Sequence, residues 1–174
     1  MNCKHEECPL LSASLIPLTK SRYAIVDTED YAELSKYKWT LANMEYGDKA
    51  YRNSRHHPIR PIYMHREILE LKKGDGKYGD HINHNTLDNR KNELRVCTQS
   101  QNNMNSRKRK NCTSIYKGVC WKKQFMRWDS YIMVNQKQIY IGRFKSEKMA
   151  ALAYNKKAKE LFGEFAYLNN IQDG

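Results

Sequence analysis

A carboxylate and an imidazole stand side by side at Asp80 and His81, and an amide follows further along the chain at Asn102. Carboxylate and amide oxygens are hard ligands that suit Mg²⁺ or a similar ion, with water filling the remaining positions. A histidine beside such an ion can take a proton from a water that then attacks a phosphate. The spacing also allows a purely structural role, in which Asp80 caps a turn and His81 packs as a neutral histidine.

The surrounding sequence predicts a strand, a long loop, a second strand and a helix. The strand 80–82 follows a glycine-rich turn, and 94–97 reads as a second short strand. Thr98 with Gln101 has the form of a capping box, so a helix is expected to start at Thr98. If that helix packs across the two strands, it brings the amide of Asn102 towards the carboxylate.

The net charge of +12 is concentrated in one half of this 174-residue chain. Residues 94–174 hold 16 of the 31 basic residues but only 5 of the 19 acidic ones. No acidic residue occurs between Leu94 and Trp128. This asymmetry favours a polyanionic partner, nucleic acid, over a merely solvated surface. A membrane surface is disfavoured as partner, because the basic stretch is not an amphipathic helix with bulky apolar residues.

Several protein classes are excluded by composition. No apolar run is long enough for a transmembrane helix, and the acidic N-terminal segment does not resemble a secretory signal, so an intracellular protein is expected. The five scattered cysteines read as free thiols. Zinc at Cys3, His5 and Cys8 is not expected, because zinc needs four ligands and no second cysteine or histidine pair lies close by in the sequence. No phosphate-binding glycine loop is present, so no nucleotide cofactor is expected.

The last third of the chain predicts a separate small domain. Three strands are expected at 115–121, 128–134 and 138–144, followed by a helix with Ser146 at its N-cap and Gly163 at its end. The apolar stripe expected to pack this helix on the sheet consists of Ala150, Ala153, Tyr154, Ala158 and Leu161. Four consecutive cations precede the domain, and their repulsion predicts an unstructured linker.

The central region resembles the HNH endonuclease family, in the branch found among phage and intron homing endonucleases. The resemblance is carried by Gly79-Asp80-His81-Ile82-Asn83, Asn85, Leu87-Asp88-Asn89-Arg90, Leu94-Arg95, Thr98, Gln101-Asn102 and the upstream Tyr63-Met64-His65-Arg66. It implies a ββα-metal core with Asp80 and Asn102 as ligands of magnesium or manganese and His81 as the general base. It also implies Asn89 as a brace of the loop and His65 as a packing support. Two positions depart from the family pattern, namely His84, where glycine is common, and Glu93, where asparagine is common.

The last third resembles the ethylene-response-factor (Apetala) type of DNA-binding domain. The resemblance is carried by Tyr116-Lys117-Gly118-Val119, Trp128, Tyr140-Ile141-Gly142-Arg143-Phe144, Ala150-Ala151-Leu152-Ala153-Tyr154-Asn155 and Leu168-Asn169. It implies that the sheet face, not the helix, lies in the major groove. Together with the basic linker, the residues expected to contact DNA are Arg107, Lys108, Arg109, Lys110, Lys117, Lys122, Lys123, Arg127, Tyr131, Lys137, Tyr140 and Arg143.

The expected fold class is α+β, a ββα-metal nuclease core followed by a three-stranded antiparallel sheet packed on one helix. The expected organisation is an N-terminal α+β region at 1–60, the nuclease core at 61–106, a basic linker at 107–113 and the DNA-binding domain at 114–170.

The expected function is a metal-dependent, homing-type endonuclease that hydrolyses phosphodiester bonds in duplex DNA. We expect a monomer, which would nick one strand at a time, in the cytoplasm of a phage-infected bacterium. The alternatives are a DNA-binding protein with a degenerate nuclease core, suggested by His84 and Glu93, and an RNA-binding protein.

Overall fold

Two units make up the chain, with the boundary between Thr98 and Gln99. The computed structural model describes residues 13–44, 47–55, 57–108 and 112–171. These ranges contain antiparallel sheets and a few helices, as an α+β fold requires. The zinc candidates Cys3, His5 and Cys8 and the linker cations Arg109 and Lys110 lie outside the described residues. None of the helices described is long and apolar enough to cross a bilayer.

The first unit contains three small antiparallel sheets and two short helices within the described ranges. Its elements are β1 (Ala13–Leu18), β2 (Arg22–Asp27), α1 (Thr28–Leu34), β3 (Thr40–Ala42), β4 (Lys49–Asn53), β5 (Pro61–Tyr63), α2 (Met64–Ile68), β6 (Tyr78–His81) and β7 (Leu94–Cys97). Strands β1 and β2 form a hairpin, β3, β4 and β5 form a sheet in that order, and β6 pairs with β7.

The core of the first unit is built by the β1–β2 hairpin and the residues that follow it. The alternation of buried and exposed residues along β1 and β2 directs Ile16, Ala24 and Val26 into this core. Trp39 is 1% exposed, and its indole Nε1 donates a hydrogen bond to the carbonyl of Leu34 at 2.8 Å. This bond satisfies the one polar atom of a fully buried ring.

The second unit begins with the helix that sequence analysis assigned to the nuclease core. Its elements are α3 (Gln99–Asn105), β8 (Val119–Lys122), β9 (Arg127–Val134), β10 (Lys137–Phe144) and α4 (Glu147–Phe162). The three strands form an antiparallel sheet with β9 in the centre. On α3, Met104 packs against the cluster of Ile132, Tyr154, Ala158 and Phe162. The predicted nuclease core at 61–106 therefore spans the boundary between the units, and the predicted division of the chain stays a prediction.

The predicted sheet and helix of the second unit are confirmed, with three local corrections. Residues 115–118 form turns instead of a strand extension, because Glu147 Oε1 holds the backbone N–H of Ile115 and Gly118 takes a φ of +77°. Ser146 occupies the N-cap of α4 but its side chain makes no capping hydrogen bond. The buried stripe of α4 ends at Phe162, whereas Leu161 is exposed.

Candidate functional site

Asp80 and His81 are adjacent residues at the end of β6, and both are buried, with exposures of 7% and 6%. In the antiparallel register, Asp80 lies opposite Arg95 and His81 lies opposite Leu94 on β7. The pairing of β6 with β7 therefore fixes the backbone of both residues. Asn102, the third predicted site residue, is half-buried on α3 in the second unit, so its role as a ligand stays a prediction.

The loop between β6 and β7 is held by β2. The backbone N–H of Ile25 donates to the carbonyl of Leu87 at 2.8 Å, and the N–H of Asn89 donates to the carbonyl of Ile25 at 2.7 Å. Asp88 in the same loop accepts two hydrogen bonds from the guanidinium of Arg90, one from the backbone N–H of Arg90 and one from the amide of Asn83. A long polar loop therefore keeps one shape, because its main chain is tied to a strand of the core.

The imidazole of His81 is held by this loop. Its Nε2 lies 3.4 Å from Oδ1 of Asn89, a residue that is only 1% exposed and whose amide nitrogen donates to the carbonyl of Leu87. An amide oxygen can only accept, so Nε2 carries the proton in this pairing and Nδ1 is the basic atom of the neutral ring. Burial lowers the pKa of His81, an effect that the hydrogen bond to Asn89 opposes. His81 is therefore neutral near pH 7, the state that a general base requires.

His65 packs edge-on against the catalytic candidate. The ring centroids of His65 and His81 are 5.2 Å apart, and His65 is 5% exposed. Burial first, and then the neighbouring His81, hold the pKa of His65 well below its ordinary value. Gly79 makes room for this ring, because a Cβ at Gly79 would lie 2.7 Å from Cδ2 of His65. These contacts suit the supporting role that the sequence predicts for His65.

Asp80 is paired with an arginine that the sequence motif contains but whose role the sequence did not indicate. Nε and Nη2 of Arg95 donate to Oδ2 of Asp80 at 2.9 and 2.8 Å. The side chains of this pair are only 11% and 8% exposed. The directly opposed register of β6 and β7 was the signal that could have revealed the pair, since facing residues on antiparallel strands are neighbours.

The two predicted ligands, Asp80 and Asn102, are both oxygen donors, and their joint role in holding a cation stays a prediction. Within the described ranges, no group of three or more histidine, cysteine, aspartate or glutamate side chains comes together. A closed structural zinc site would need such a group, whereas Mg²⁺ is commonly held by one or two protein oxygens together with water and substrate phosphate. The carboxylate of Asp80 and the amide of Asn102 are oxygen donors of that kind.

The two departures from the family pattern leave the loop closed. His84 takes the left-handed conformation, with φ of +60°, which explains why glycine suits this position. At Glu93 the loop is closed by the main chain: its carbonyl accepts from the N–H of Ile82 at 2.9 Å. The main chain at both positions is compatible with a closed loop, and the effect of these two departures on activity stays a prediction.

The outer face of the sheet in the second unit gathers the aromatic and basic residues predicted to contact DNA. Tyr131 and Tyr140 lie opposite each other with ring centroids 5.4 Å apart, and the ammonium of Lys122 is 5.6 Å from the Tyr131 ring. Arg143 joins them by pairing with Asp129, whose Oδ2 also accepts from the Tyr131 hydroxyl at 3.0 Å. A bulge between Tyr140 and Gly142 makes this possible, because strict alternation would place Tyr140 and Arg143 on opposite faces.

The remaining predicted DNA contacts within the described ranges lie elsewhere in the second unit. Lys123 lies in a 3₁₀ turn after β8, Arg127 begins β9 and Lys137 begins β10. Lys117 points inward: its Nζ donates to the carbonyls of Met104 and Ser106 at 2.8 and 2.6 Å. Arg107 and Lys108 follow α3 as irregular chain. The DNA contacts of all these residues stay predictions.

A buried histidine, an adjacent carboxylate and a braced loop thus lie together at the end of β6. The profile of the HNH endonuclease family matches residues 62–104. The chain is 35% identical over 162 residues to a protein named Uncharacterized HNH endonuclease L560 of Acanthamoeba polyphaga mimivirus, a match that covers 91% of this chain and 80% of that protein. It is also 30% identical over 105 residues to Protein 3.8 of Escherichia phage T7, covering 59% of this chain and 86% of that protein. No solved structure matches the chain significantly.

This chain therefore belongs to the HNH endonuclease family, and it is a DNA nuclease.

Proposed function

We propose that the protein is a metal-dependent endonuclease that recognises sites in duplex DNA, of the homing type, and cuts by hydrolysis of the phosphodiester backbone. The observation that carries the proposal is His81, a histidine that burial keeps neutral and that Asn89 orients, beside the carboxylate of Asp80. Such a group can accept a proton at neutral pH without first losing one. Its main chain is fixed by β6 and its ring by the loop, so little reorganisation is needed.

In the proposed reaction, Nδ1 of His81 takes the proton of the attacking water while Asn89 keeps the ring oriented through Nε2. Asp80 and Asn102 would hold the divalent cation, magnesium or manganese, which when bound supplies positive charge to the phosphate and to the leaving 3′ oxygen. Arg95 fixes the rotamer of Asp80 by binding Oδ2 twice. His65 excludes water from the buried side of His81.

The second unit is proposed to select the DNA, as a domain of the ethylene-response-factor type. Its support is the three-stranded sheet with one helix behind it and with Lys122, Tyr131, Tyr140 and Arg143 gathered on the open face. Guanidinium and ammonium groups bind phosphates and guanine edges, and tyrosine rings pack on sugars and thymine methyl groups. The viral relatives support a role in an infected host cell.

The nuclease proposal is tested on supercoiled plasmid with Mg²⁺, with Mn²⁺ and with a chelator. The wild type is expected to nick in the presence of a cation and to be inactive with the chelator. His81→Gln should lower the rate by about 10²–10⁴-fold, the usual contribution of a positioned general base. The matched control is His57→Gln, which changes an exposed histidine. Equal rates for His81→Gln and wild type would refute the assignment of the base.

The recognition proposal is tested by binding of the full chain to a 40-base-pair duplex at several salt concentrations. With six to eight phosphates neutralised, log K should fall against log salt with a slope of roughly −5 to −7. A slope near −1 would exclude the basic face as the footprint. Competition between duplex DNA and duplex RNA decides between DNA and RNA as ligand, and cleavage mapping on random duplexes tests for a preferred site.

A further inference from the structure

Lys49 is a half-buried lysine at the start of β4, and sequence analysis gave it no role. Its Nζ lies 5.8 Å from the centroid of the Tyr63 ring. Within the described part of the chain, no carboxylate forms an ion pair with Lys49. Burial lowers the pKa of Lys49, as expected for an ammonium that has lost water without gaining a counter-charge.

A continuous row of rings leads from Lys49 to the catalytic candidate. The centroids of Tyr63 and His65 are 5.8 Å apart, and those of His65 and His81 are 5.2 Å apart. The charge of Lys49 also reaches both histidines: after burial, it is among the causes that lower the pKa of His65 and of His81. Lys49 thus belongs to the electrostatic surroundings of His81 although it lies on a different sheet.

The other half-buried cations of the first unit have carboxylate partners. Arg52, three residues further along β4, donates two hydrogen bonds of 2.9 Å to Glu67, and Arg95 binds Asp80. A half-buried ammonium without such a partner weakens the folded state, because desolvation is not compensated. A phosphate that the substrate brings to His81, at the other end of this row of rings, would supply the partner that Lys49 lacks among the described residues.

We propose that Lys49 binds the phosphate that is cleaved, as a fixed positive charge on one of its non-bridging oxygens. This inference rests on the proposed function. The phosphodiester carries one negative charge, and a second develops as the water oxygen adds to phosphorus. An ammonium that is already partly desolvated interacts more strongly with the doubly charged state than with the substrate. Lys49 is therefore expected to act on kcat more than on the affinity for DNA.

The test compares Lys49→Met, Lys49→Arg and the control Lys73→Met, which removes one exposed lysine of the same unit. Lys49→Met should lower kcat by about 10–10²-fold, since one preorganised charge is lost, while Kd for the duplex changes by less than about 3-fold. Lys49→Arg should recover part of the rate, and Lys73→Met should cut like the wild type. The melting temperature of Lys49→Met should not fall, because methionine keeps the apolar stem and removes a half-buried charge that has no carboxylate partner among the described residues.

A second measurement uses the wild type and does not depend on activity. Reductive methylation of lysines is followed by mass spectrometry with and without a 40-base-pair duplex, in chelator. DNA should protect Lys49 at least about 5-fold and leave Lys73 reactive.

Unchanged kcat in folded Lys49→Met, or equal labelling of Lys49 with and without DNA, would overturn this proposal and leave the nuclease function standing. A wild type that cuts no DNA with any divalent cation would overturn the nuclease function, and this proposal with it.

Discussion

Removing only one member of the Asp80–Arg95 pair should destabilise the first unit strongly. The side chains are 8% and 11% exposed, so either change leaves a nearly buried charge without its partner. Breaking a buried ion pair in this way costs about 3–5 kcal/mol. Because both groups keep some access to water, we expect about 3 kcal/mol for Asp80→Leu and for Arg95→Met. For a unit of this size, that corresponds to a fall in Tm of roughly 12–24 °C.

The double variant Asp80→Leu with Arg95→Met should recover most of this loss. It removes both charges and replaces them with apolar side chains of similar volume, a change that is often neutral or stabilising. We expect the double variant to lie within about 1 kcal/mol of the wild type, so that the coupling energy from the cycle exceeds about 2 kcal/mol. The double variant should still fail to cut DNA, because the proposed cation ligand is gone.

The assay is urea unfolding followed by tryptophan fluorescence. Of the three tryptophans, Trp39 is buried in the first unit and Trp121 and Trp128 lie in the second. With Trp121→Phe and Trp128→Phe as background, Trp39 reports the first unit alone. Two outcomes would refute the reasoning that the pair is a coupled structural element. One is a double variant whose loss of unfolding free energy equals the sum of the two single losses, and the other is an Asp80→Leu variant as stable as the wild type. In that case loss of cleavage by an Asp80 variant alone would already identify the ligand.

Three further predictions concern single positions. Gly118→Ala should unfold the second unit, at a cost of at least about 3 kcal/mol, because its Cβ would lie 2.1 Å from Cδ2 of Tyr154 and the backbone φ is +77°. Circular dichroism of the full chain checks this, and a melting curve like that of the wild type would contradict it. His84→Gly should stabilise the first unit by about 1 kcal/mol in urea unfolding, since glycine adopts φ of +60° without strain, and no gain would show that the strain is compensated. Burial lowers the pKa of Lys117 from 10.5 to about 8, so the folded protein releases this proton before the unfolded chain does, and the stability contributed by Lys117 should rise between about pH 8 and 10.5. The measurement is the difference in unfolding free energy between wild type and Lys117→Met across this range, and a flat difference would exclude the shift.

Sequence reasoning found the strands more readily than the partners of the helices. Strands β6 and β7 and the helix after them follow from local signals, namely a glycine-rich turn, short β-branched or apolar runs and the Thr98–Gln101 sequence pattern. Local signals cannot reveal where α3 packs, because Met104 finds its cluster among residues far along the chain. Its apolar surface is a single side chain in a polar helix.

The candidate site was predictable in its residue types but not in its electrostatics. The motif names Asp80 and His81, while the pairing of Asp80 with Arg95 depends on the register of β6 and β7, and the position of Lys49 beside Tyr63 depends on the pairing of β4 with β5. In the second unit, the regular alternation of side chains along a strand would place Tyr140 and Arg143 on opposite faces of the sheet. Only the bulge in β10 places both on one face. A one-residue irregularity of this kind leaves little trace in a single sequence, since Gly142 is also compatible with a regular strand.

The position of the boundary between Thr98 and Gln99 has a consequence for how such proteins can recombine. A genetic crossover at the basic linker would separate α3 from the apolar cluster that Met104 joins and from the ammonium of Lys117, which binds the carbonyls of Met104 and Ser106. A crossover that preserves packing falls instead between β7 and α3, inside the stretch that defines the family. An exchange of the second unit would therefore import a new α3 with it. With the second unit selecting the DNA as proposed, a lineage that exchanges this unit would inherit the helix that carries Asn102 from the donor, and strands β6 and β7 from the recipient.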